Sequence, residues 1–270
     1  MTNYRGLRFL WCLCPLLVCL AQSHPETGPK ALFPNVTAVV NGASFQPGVV
    51  SGSWATILGT DLANTTRSWT AADFINGNLP PNLSYTGAVV NGKAAFVSYV
   101  SPTQVNVLIP DDPSVGTVTV LVTTEFITSN IAFANKLAVS PALFTFTPRY
   151  PAAAHNSDGS YCGPANLLPN VATTPAHPGE VIQLFGAGLG ATNPPIPTGM
   201  LFTTPEPLAQ PITATVGGVP ANVAGYLIYP GVYQLNLTVP ALPDGDAPVS
   251  ISMGSISSQS GLMLSIARTD

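Results

Sequence analysis

The sequence predicts an all-β protein, and three observations support that prediction. Apolar and polar residues alternate in many short segments, as they do in half-buried strands. The chain also holds 28 prolines and 24 glycines, and beyond residue 30 they interrupt each apolar run before it reaches the length of a helix. Finally, several strand-like blocks occur twice in the same order, which indicates an internal repeat.

Six segments carry the alternating pattern clearly. They are rich in Val, Ile, Thr and Tyr, which pack well on a pleated, half-buried surface. The predicted strands, in chain order, are AAFVSYV (94–100), QVNVLI (104–109), TVTVLV (117–122), ITATV (212–216), YQLNLTV (233–239) and VSISM (249–253). Turn-forming sequences such as NGK at Asn91 and PDGD at Pro243 separate them, as expected for short antiparallel strands.

The repeat predicts the number of domains. WATILGTDLA recurs as VIQLFGAGLG, and QVNVLIP (104–110) recurs as QLNLTVP (234–240). Each copy spans about 110 to 125 residues, which is the size of an immunoglobulin-like β-sandwich. We therefore predict two tandem immunoglobulin-like β-sandwich domains, at residues 33–140 and 141–270.

The N-terminal residues differ in composition from the rest of the chain. MTNYRGLR is basic, FLWCLCPLLVCLA is apolar and QSHPETGPK is polar, which is the order of a secretory signal peptide. We predict a signal peptide at residues 1–23, cleaved after Ala21 or Ser23, and an N-terminal tail at residues 24–32. The apolar run is shorter than the roughly 20 residues of a bilayer span. The mature chain should therefore lack a membrane span and be secreted, periplasmic or attached to the cell surface, with an uncleaved anchor as the alternative.

Cleavage would leave Cys162 as the single cysteine, because Cys12, Cys14 and Cys19 lie within the predicted signal peptide. No disulfide could then form within the mature chain, so apolar cores must stabilise it. Cys162 is interpreted as a small apolar core residue, with pairing between chains or metal binding as the alternatives. Only 7% of residues are charged and the net charge is −4, so nucleic acid is not an expected partner.

Longer blocks resemble a known family. They are VVNGASFQPGVVSGSWATILGTDLA and VVNGKAAFVSYVSPTQVNVLIP in the first half, and AAAHNSDGSYCGPAN followed by PAHPGEVIQLFGAGLG in the second. These blocks resemble the tandem secreted domain typical of Solibacter and other acidobacteria, over nearly the whole mature chain. Each half is also similar to the IPT/TIG branch of immunoglobulin-like folds. The resemblance implies an exported β-sandwich protein of the cell envelope and supplies no catalytic residues.

The predicted function is a non-catalytic exported module for binding, adhesion or scaffolding, with a protein or glycan partner. The first alternative is carbohydrate binding through exposed aromatic side chains, since the apolar face of a sugar stacks on a flat ring. Trp69 is the first candidate because it lies in a polar insertion, although the same ring could instead anchor that insertion. Tyr150, Tyr161 and Tyr229 are further candidates, whereas Trp54 starts a repeated strand and is predicted to be core.

The second alternative is an unrecognised hydrolase. The chain contains three histidines, His24, His155 and His177, and no G-x-S-x-G nucleophile elbow. Nucleophilic catalysis needs a base beside a serine or cysteine. His155 with Cys162 could supply that pair, but no spacing in the sequence brings the two together.

Oxygen-rich turns are the only candidates for a cofactor, which would be calcium. Calcium takes six to eight oxygen ligands, and each turn offers two or three. Asp158 in NSDGS, and Asp244 with Asp246 in PDGD, are the expected ligands if calcium binds. DDP at Asp111 is a similar turn. Turns that cap hairpins are the favoured interpretation, so the sequence predicts no other cofactor.

One polar pattern is identical in both copies of the repeat. Gln104 and Asn106 correspond to Gln234 and Asn236, while the apolar residues between them vary. These amides face away from the predicted core because side chains alternate along a strand. We predict a structural role in which they hydrogen-bond a neighbouring loop.

Overall fold

The computed structural model describes residues 33–268. The predicted signal peptide and N-terminal tail, with His24 and the first three cysteines, lie outside these residues. The all-β prediction is confirmed, because helical structure within residues 33–268 is limited to one 3₁₀ turn at Ala71–Asp73. None of these residues forms a helix that is long and apolar enough to cross a membrane.

The first half of the chain forms two sheets from eleven strands. Their bounds are β1 (Asn35–Asn41), β2 (Trp54–Thr60), β3 (Arg67–Ser68), β4 (Asn82–Leu83), β5 (Thr86–Val90), β6 (Lys93–Ala94), β7 (Phe96–Val100), β8 (Gln104–Leu108), β9 (Gly116–Thr124), β10 (Ile127–Thr128) and β11 (Ala132–Lys136). One sheet has the order β1-β2-β8-β7-β3. The other has the order β10-β9-β5-β4, with β11 paired to β9 and β6 paired to β5.

The second half forms two more sheets. The strands are β12 (Ala142–Leu143), β13 (Ala153–His155), β14 (Tyr161–Cys162), β15 (Thr173–Thr174), β16 (Val181–Ala187), β17 (Glu206–Pro207), β18 (Thr213–Val216), β19 (Val219–Ala221), β20 (Val223–Tyr229), β21 (Val232–Thr238), β22 (Gly245–Met253), β23 (Ile256–Ser257) and β24 (Met263–Ile266). The larger sheet has the order β15-β14-β13-β16-β21-β20-β17, with β12 added to β16. The smaller sheet has the order β19-β18-β22-β23, with β24 added to β22.

Two large hydrophobic clusters lie between these sheets. The first joins Ile57 on β2 to Val120 on β9, so both sheets of the first half contribute to it. The second joins Leu184 on β16 to Ile251 on β22 in the same way. Shared burial between facing sheets is the packing of a β-sandwich. In the chain, the residues of the first cluster end and those of the second begin close to Ser140. The domain boundary between residues 140 and 141 stays a prediction.

The repeated strands QVNVLIP and QLNLTVP occupy equivalent positions, as β8 and β21. Val105 and Val107 are fully buried, as are Leu235 and Leu237, so the predicted core face is confirmed. Each strand lies inside its sheet, paired on both sides. A buried strand tolerates exchanges among Val, Leu and Ile when volume is roughly conserved, which explains the variation between the copies.

The repeated amides pair with each other along their own strand. Nε2 of Gln104 donates to Oδ1 of Asn106 over 2.8 Å, and Nε2 of Gln234 donates to Oδ1 of Asn236 over the same distance. The hydroxyl of Thr56, opposite on β2, also donates to Asn106. These contacts differ from the predicted loop contacts because residues two apart on a strand share a face and lie close enough to bond.

The two halves meet at a polar junction around Trp54. The indole Nε1 of Trp54 donates to the carbonyl oxygen of Pro230 over 2.9 Å. Nearby, the backbone N–H of Gly188 donates to Oγ of Ser53 over 2.7 Å. Trp54 is half-buried at this junction, so its predicted place in the core of one sandwich is wrong.

A proline-rich arm at residues 191–203 extends from the second half across the first. The backbone N–H of Leu79 donates to Gly199 O over 2.7 Å, and that of Leu201 donates to Gly77 O over 2.8 Å. The ring of Phe96 lies so close to Gly199 that an added Cβ would be 2.1 Å from it. The arm therefore needs glycine at this point, where φ is also +86°.

Candidate functional site

The cleft between the halves is the main candidate site. Its volume is about 510 Å³, and its walls come from both halves of the chain. The first half contributes residues 111–115 and 136–138, and the second half contributes residues 195–200 of the proline-rich arm. Small-molecule sites have volumes of about 300 to 1,000 Å³ and occur often at domain interfaces. The cleft therefore has the size and position of a ligand site.

Lys136 supplies a buried positive charge in the wall of the cleft. It ends β11 and is only 2% exposed. Its Nζ donates to the carbonyl oxygens of Asp112 and Ser114, each over 2.6 Å. Burial lowers the pKa of Lys136, and the nearby Asp112 carboxylate offsets part of that effect. An ammonium has three N–H donors, and these two bonds use two of them.

Two adjacent carboxylates lie on the same loop. The Asp112 carboxylate accepts hydrogen bonds from Nδ2 of Asn91 over 2.6 Å and from the backbone N–H of Ser114 over 3.1 Å. These bonds, that of Asn91 above all, lower the pKa of Asp112. Both carboxylates stand at the cleft, and Asp112 is ionised at neutral pH.

Asp111 also joins this loop to the arm. Oδ2 of Asp111 accepts a hydrogen bond from the backbone N–H of Thr198 over 3.0 Å, and Oδ1 accepts one from the Thr198 hydroxyl. The two bonds hold the arm against the first half at the edge of the cleft. The position of the arm, and with it the width of the cleft, therefore depends on this pair.

Charges of both signs balance in this part of the molecule. Nζ of Lys93 donates to the carbonyl oxygen of Asp111 over 2.6 Å, so two ammonium groups accompany the two carboxylates. The proline-rich arm contributes apolar residues to the cleft, among them Pro195, Ile196 and Pro197. Hydrogen-bonding groups and apolar side chains therefore both line the cleft.

The sequence contained one signal for the burial of Lys136, which lies in the alternation of residues along β11. In β11 the side chains of Ala134 and Lys136 share one face because side chains alternate along a strand, and both are buried. A lysine on the core face of an alternating segment is unusual, since lysine is almost never fully buried unless paired. The pattern could therefore have identified the residue. Only the structure shows which carbonyl groups receive its ammonium.

Trp69 lies outside the cleft. It is half-buried and packs against the first hydrophobic cluster. Its ring meets Trp54 and Phe74 edge-on, with centroids 5.4 and 5.1 Å away. These are the contacts of a ring that anchors the insertion, and ligand binding by Trp69 stays a prediction.

The three candidate tyrosines belong to the second half. The hydroxyl of Tyr150 donates to Oδ2 of Asp246 over 2.7 Å. Tyr161 meets Phe146 edge-on at 5.7 Å, and burial raises the pKa of Tyr229 to about 12. All three are half-buried, and sugar binding through them stays a prediction.

The candidate calcium ligands already accept hydrogen bonds from the protein. Asp158 accepts from the backbone N–H of Ser160 over 2.9 Å, which is the geometry of a capped turn. Asp244 accepts from the backbone of Arg268, and Asp246 forms a 2.9 Å ion pair with Arg149. Within residues 33–268, no group of three or more His, Cys, Asp and Glu side chains is arranged to hold a metal. Calcium binding stays a prediction.

The histidines proposed for a hydrolase form structural contacts. Nδ1 of His155 lies 3.0 Å from Oε2 of Glu180, and Nε2 lies 2.9 Å from the Thr174 hydroxyl. Nδ1 of His177 lies 2.6 Å from the carbonyl oxygen of Ala267. The ring of His155 is buried, and its two nitrogens join β13 to β15 and to the turn before β16. This geometry favours structural roles for both histidines.

Cys162 is expected to be chemically inert in the folded protein. Its side chain is 1% exposed, and burial, reinforced by the charge of Glu180, raises the pKa of its thiol to about 12. Thiolate, the reactive form, is therefore scarce at neutral pH. In iodoacetamide labelling read out by mass spectrometry, the peptide with Cys162 should be modified only after denaturant is added. Rapid labelling of that peptide in native buffer would contradict the burial seen here.

Comparison with known proteins returned remote structural likenesses. No protein-family model and no curated protein sequence matches the chain. The surface glycan-binding protein PbSGBP-B from Prevotella bryantii is 12% identical with a TM-score of 0.27, and the alignment covers 88% of this chain and 42% of that one. SGBP-B of the Bacteroides ovatus mixed-linkage glucan utilization locus, in complex with a heptasaccharide, is 13% identical with a TM-score of 0.33, over 82% and 43% of the two chains.

A third likeness is to domains 5–6 of the S-layer protein SbsC, at 13% identity and a TM-score of 0.25, over 88% of this chain and 100% of that one. The chain spans less than half the length of either glycan-binding protein. At these identities and TM-scores, none of the three likenesses bears on function.

Proposed function

We propose that the protein is a non-catalytic exported binding module that holds a small, hydroxyl-rich ligand, such as a mono- or disaccharide, in the cleft between its halves. The observation that carries the proposal is Lys136, a buried ammonium that lines a cleft of about 510 Å³ and donates to two backbone carbonyl oxygens there. Export rests on the predicted signal peptide.

The chemistry of the cleft suits hydroxyl groups. A hydroxyl can accept a hydrogen bond from Lys136 and donate one to the carboxylate of Asp111 or Asp112, which an anion or a cation alone cannot do. The proline-rich arm can cover the C–H face of a sugar ring.

Lys136→Met tests this proposal. Calorimetric titration of the wild-type protein with a panel of soluble mono- and disaccharides should identify a ligand, and the variant should bind it at least tenfold more weakly. The expected loss follows from removing a hydrogen bond to a charged group, worth about 1.5 to 3 kcal/mol.

Lys93→Met is the matched control. Lys93 donates to the same loop but is exposed and lies outside the walls of the cleft, so this variant should bind within about twofold of the wild type. Equal binding by the wild type and Lys136→Met, or no binding of any sugar by the wild type, would contradict a saccharide site in the cleft.

A further inference from the structure

Two aromatic side chains in turns of the first half are almost fully exposed to solvent. Phe126 is 100% exposed and Tyr85 is 80% exposed. They stand on neighbouring turns, because the backbone N–H of Glu125 donates to the carbonyl oxygen of Tyr85 over 2.8 Å. We refer to Tyr85 and Phe126 as the aromatic tip. Exposing two large rings on neighbouring turns is unfavourable in water, so this arrangement calls for an explanation.

Both turns also have an unfavourable backbone. Ser84 and Tyr85 join β4 to β5 with φ values of 47° and 61°, and Glu125 starts the turn from β9 to β10 with φ of 53°. Two-residue hairpins of this kind prefer glycine or asparagine, because positive φ is strained for other residues. For a bulky residue such as tyrosine, a positive φ is a marked outlier.

Other tight turns of the chain use the residues that this geometry prefers. The second half has Gly254–Ser255 between β22 and β23, where the first half has Glu125–Phe126 between β9 and β10. Gly254 has φ of 59°, close to that of Glu125. The two copies of the repeat therefore adopt similar turns at this position, but only the turn of the first half carries an aromatic side chain. The difference indicates that the tip has a role apart from folding.

The tip stands on a well-fixed base. Directly beneath it, Thr86 and Thr124 face each other across the sheet, and their buried hydroxyls lie 2.6 Å apart. The hydroxyl of Thr124 also donates to the carbonyl oxygen of Leu62 over 3.0 Å. The two turns are thus held at a constant separation, and a ligand would not have to order them on binding.

We propose that the aromatic tip is a contact site for a neutral polysaccharide, whose sugar rings stack on Tyr85 and Phe126. Flat rings offer a large apolar surface at a small loss of conformational freedom, and the C–H face of a sugar is the complementary surface. Two rings on neighbouring turns suit a chain of sugars better than a single sugar. The site is independent of the cleft, since the two lie at opposite ends of β9, roughly 25 Å apart for a strand of this length.

The surroundings of the tip favour this ligand over others. Two aromatic side chains bury about 150 to 250 Å² each, well below the roughly 800 Å² per partner of a stable protein interface. Glu125, next to Phe126, places a carboxylate beside the aromatic tip, and this carboxylate accepts a hydrogen bond from Asn64 over 2.9 Å. The nearby guanidinium of Arg67 is paired with Asp73 at 2.7 Å. A negative charge without a free cation disfavours both nucleic acid and an anionic bilayer.

Retention of the full-length protein by polysaccharides tests the proposal. The probes are insoluble cellulose and chitin in sedimentation assays, and xylan and galactomannan in affinity gels. We expect the wild type to bind at least one of them. The double variant Tyr85→Ser, Phe126→Ser should bind that polysaccharide at least tenfold more weakly. Phe133→Ser is the matched control, since Phe133 is 65% exposed on a strand and should be dispensable.

A second variant separates binding from folding. Glu125→Gly with Phe126→Ser installs the turn found in the second half, so it should raise the melting temperature while it weakens retention. The proposal is overturned if no probe retains the wild type, if both tip variants bind as the wild type does, or if Phe133→Ser weakens retention equally. Binding to phosphatidylcholine vesicles through the same two side chains would also overturn it, in favour of a lipid surface. The polysaccharide assays do not depend on the cleft, so a failure of the mono- and disaccharide titrations would not change how their results are interpreted.

Discussion

Replacing Gly59 with alanine is expected to destabilise the first half by about 3 kcal/mol, at the upper end of the range for overpacked positions. Gly59 lies in β2 opposite β1, and an added Cβ would stand 2.1 Å from the carbonyl oxygen of Asn35. The backbone of one strand would have to move, because no flexible side chain can yield. Gly186, at the same position of the repeat, has the same constraint, with Ala142 O at 2.6 Å.

Thermal and urea unfolding would measure this effect. A loss of about 3 kcal/mol corresponds to a fall in melting temperature of more than 10 °C for a domain of about 100 residues. Gly87→Ala is the matched control, since Gly87 lies in β5 with an ordinary 3.4 Å space for a Cβ. Its melting temperature should be unchanged or slightly raised, because alanine restricts the unfolded chain. Similar stability of the Gly59 and Gly87 variants would refute the explanation by close approach.

Trp54→Ala is expected to have the second large effect, a loss of about 3 to 5 kcal/mol with weaker coupling between the halves. The Trp54 ring contacts Trp69 edge-on, and its indole donates to Pro230 O in the other half. It also lies against Gly231, where an added Cβ would be 2.8 Å from the indole ring. Removing the ring opens a cavity at the junction and breaks a hydrogen bond between the halves.

Calorimetry can separate these two consequences. If the halves are distinct domains coupled through this junction, the wild type should unfold in one transition and Trp54→Ala in two, with the first half melting earlier. Trp54→Phe should lose only about 1 kcal/mol, since it keeps most of the packing and loses the hydrogen bond. A Trp54→Ala protein that retains the wild-type melting temperature and a single transition would show that the junction does not couple the halves.

The strands were predictable because alternation depends only on neighbouring residues. TVTVLV and VSISM lie within β9 and β22, and the alternate apolar residues of both repeated strands are buried as predicted. Gly59 and Gly186 occupy the same position in each copy of the repeat, and both lie where another strand approaches closely. Such features follow from short-range periodicity and from the duplication itself.

The candidate sites were not predictable in the same way. The cleft depends on Asp111 meeting Thr198, and on Trp54 meeting Pro230, which are contacts between residues far apart in the chain. Trp69 illustrates the same limit, because its place in a polar insertion left exposure and anchoring both open, and the structure shows its ring packed against Trp54 and Phe74. An aromatic residue in a loop can face solvent or anchor the loop, and only its tertiary neighbours decide between these outcomes.

The sequence by itself determined that this protein is built from β-strands, that its strand blocks are duplicated and which side chains face the cores. Those properties follow from the alternation of side chains along a strand, which acts over a few residues. Only the tertiary structure decided that a cleft forms beside Lys136 between the halves and that Tyr85 and Phe126 stand on neighbouring turns in solvent. Burial and proximity arise from packing between distant segments, and no local pattern records which segments will meet.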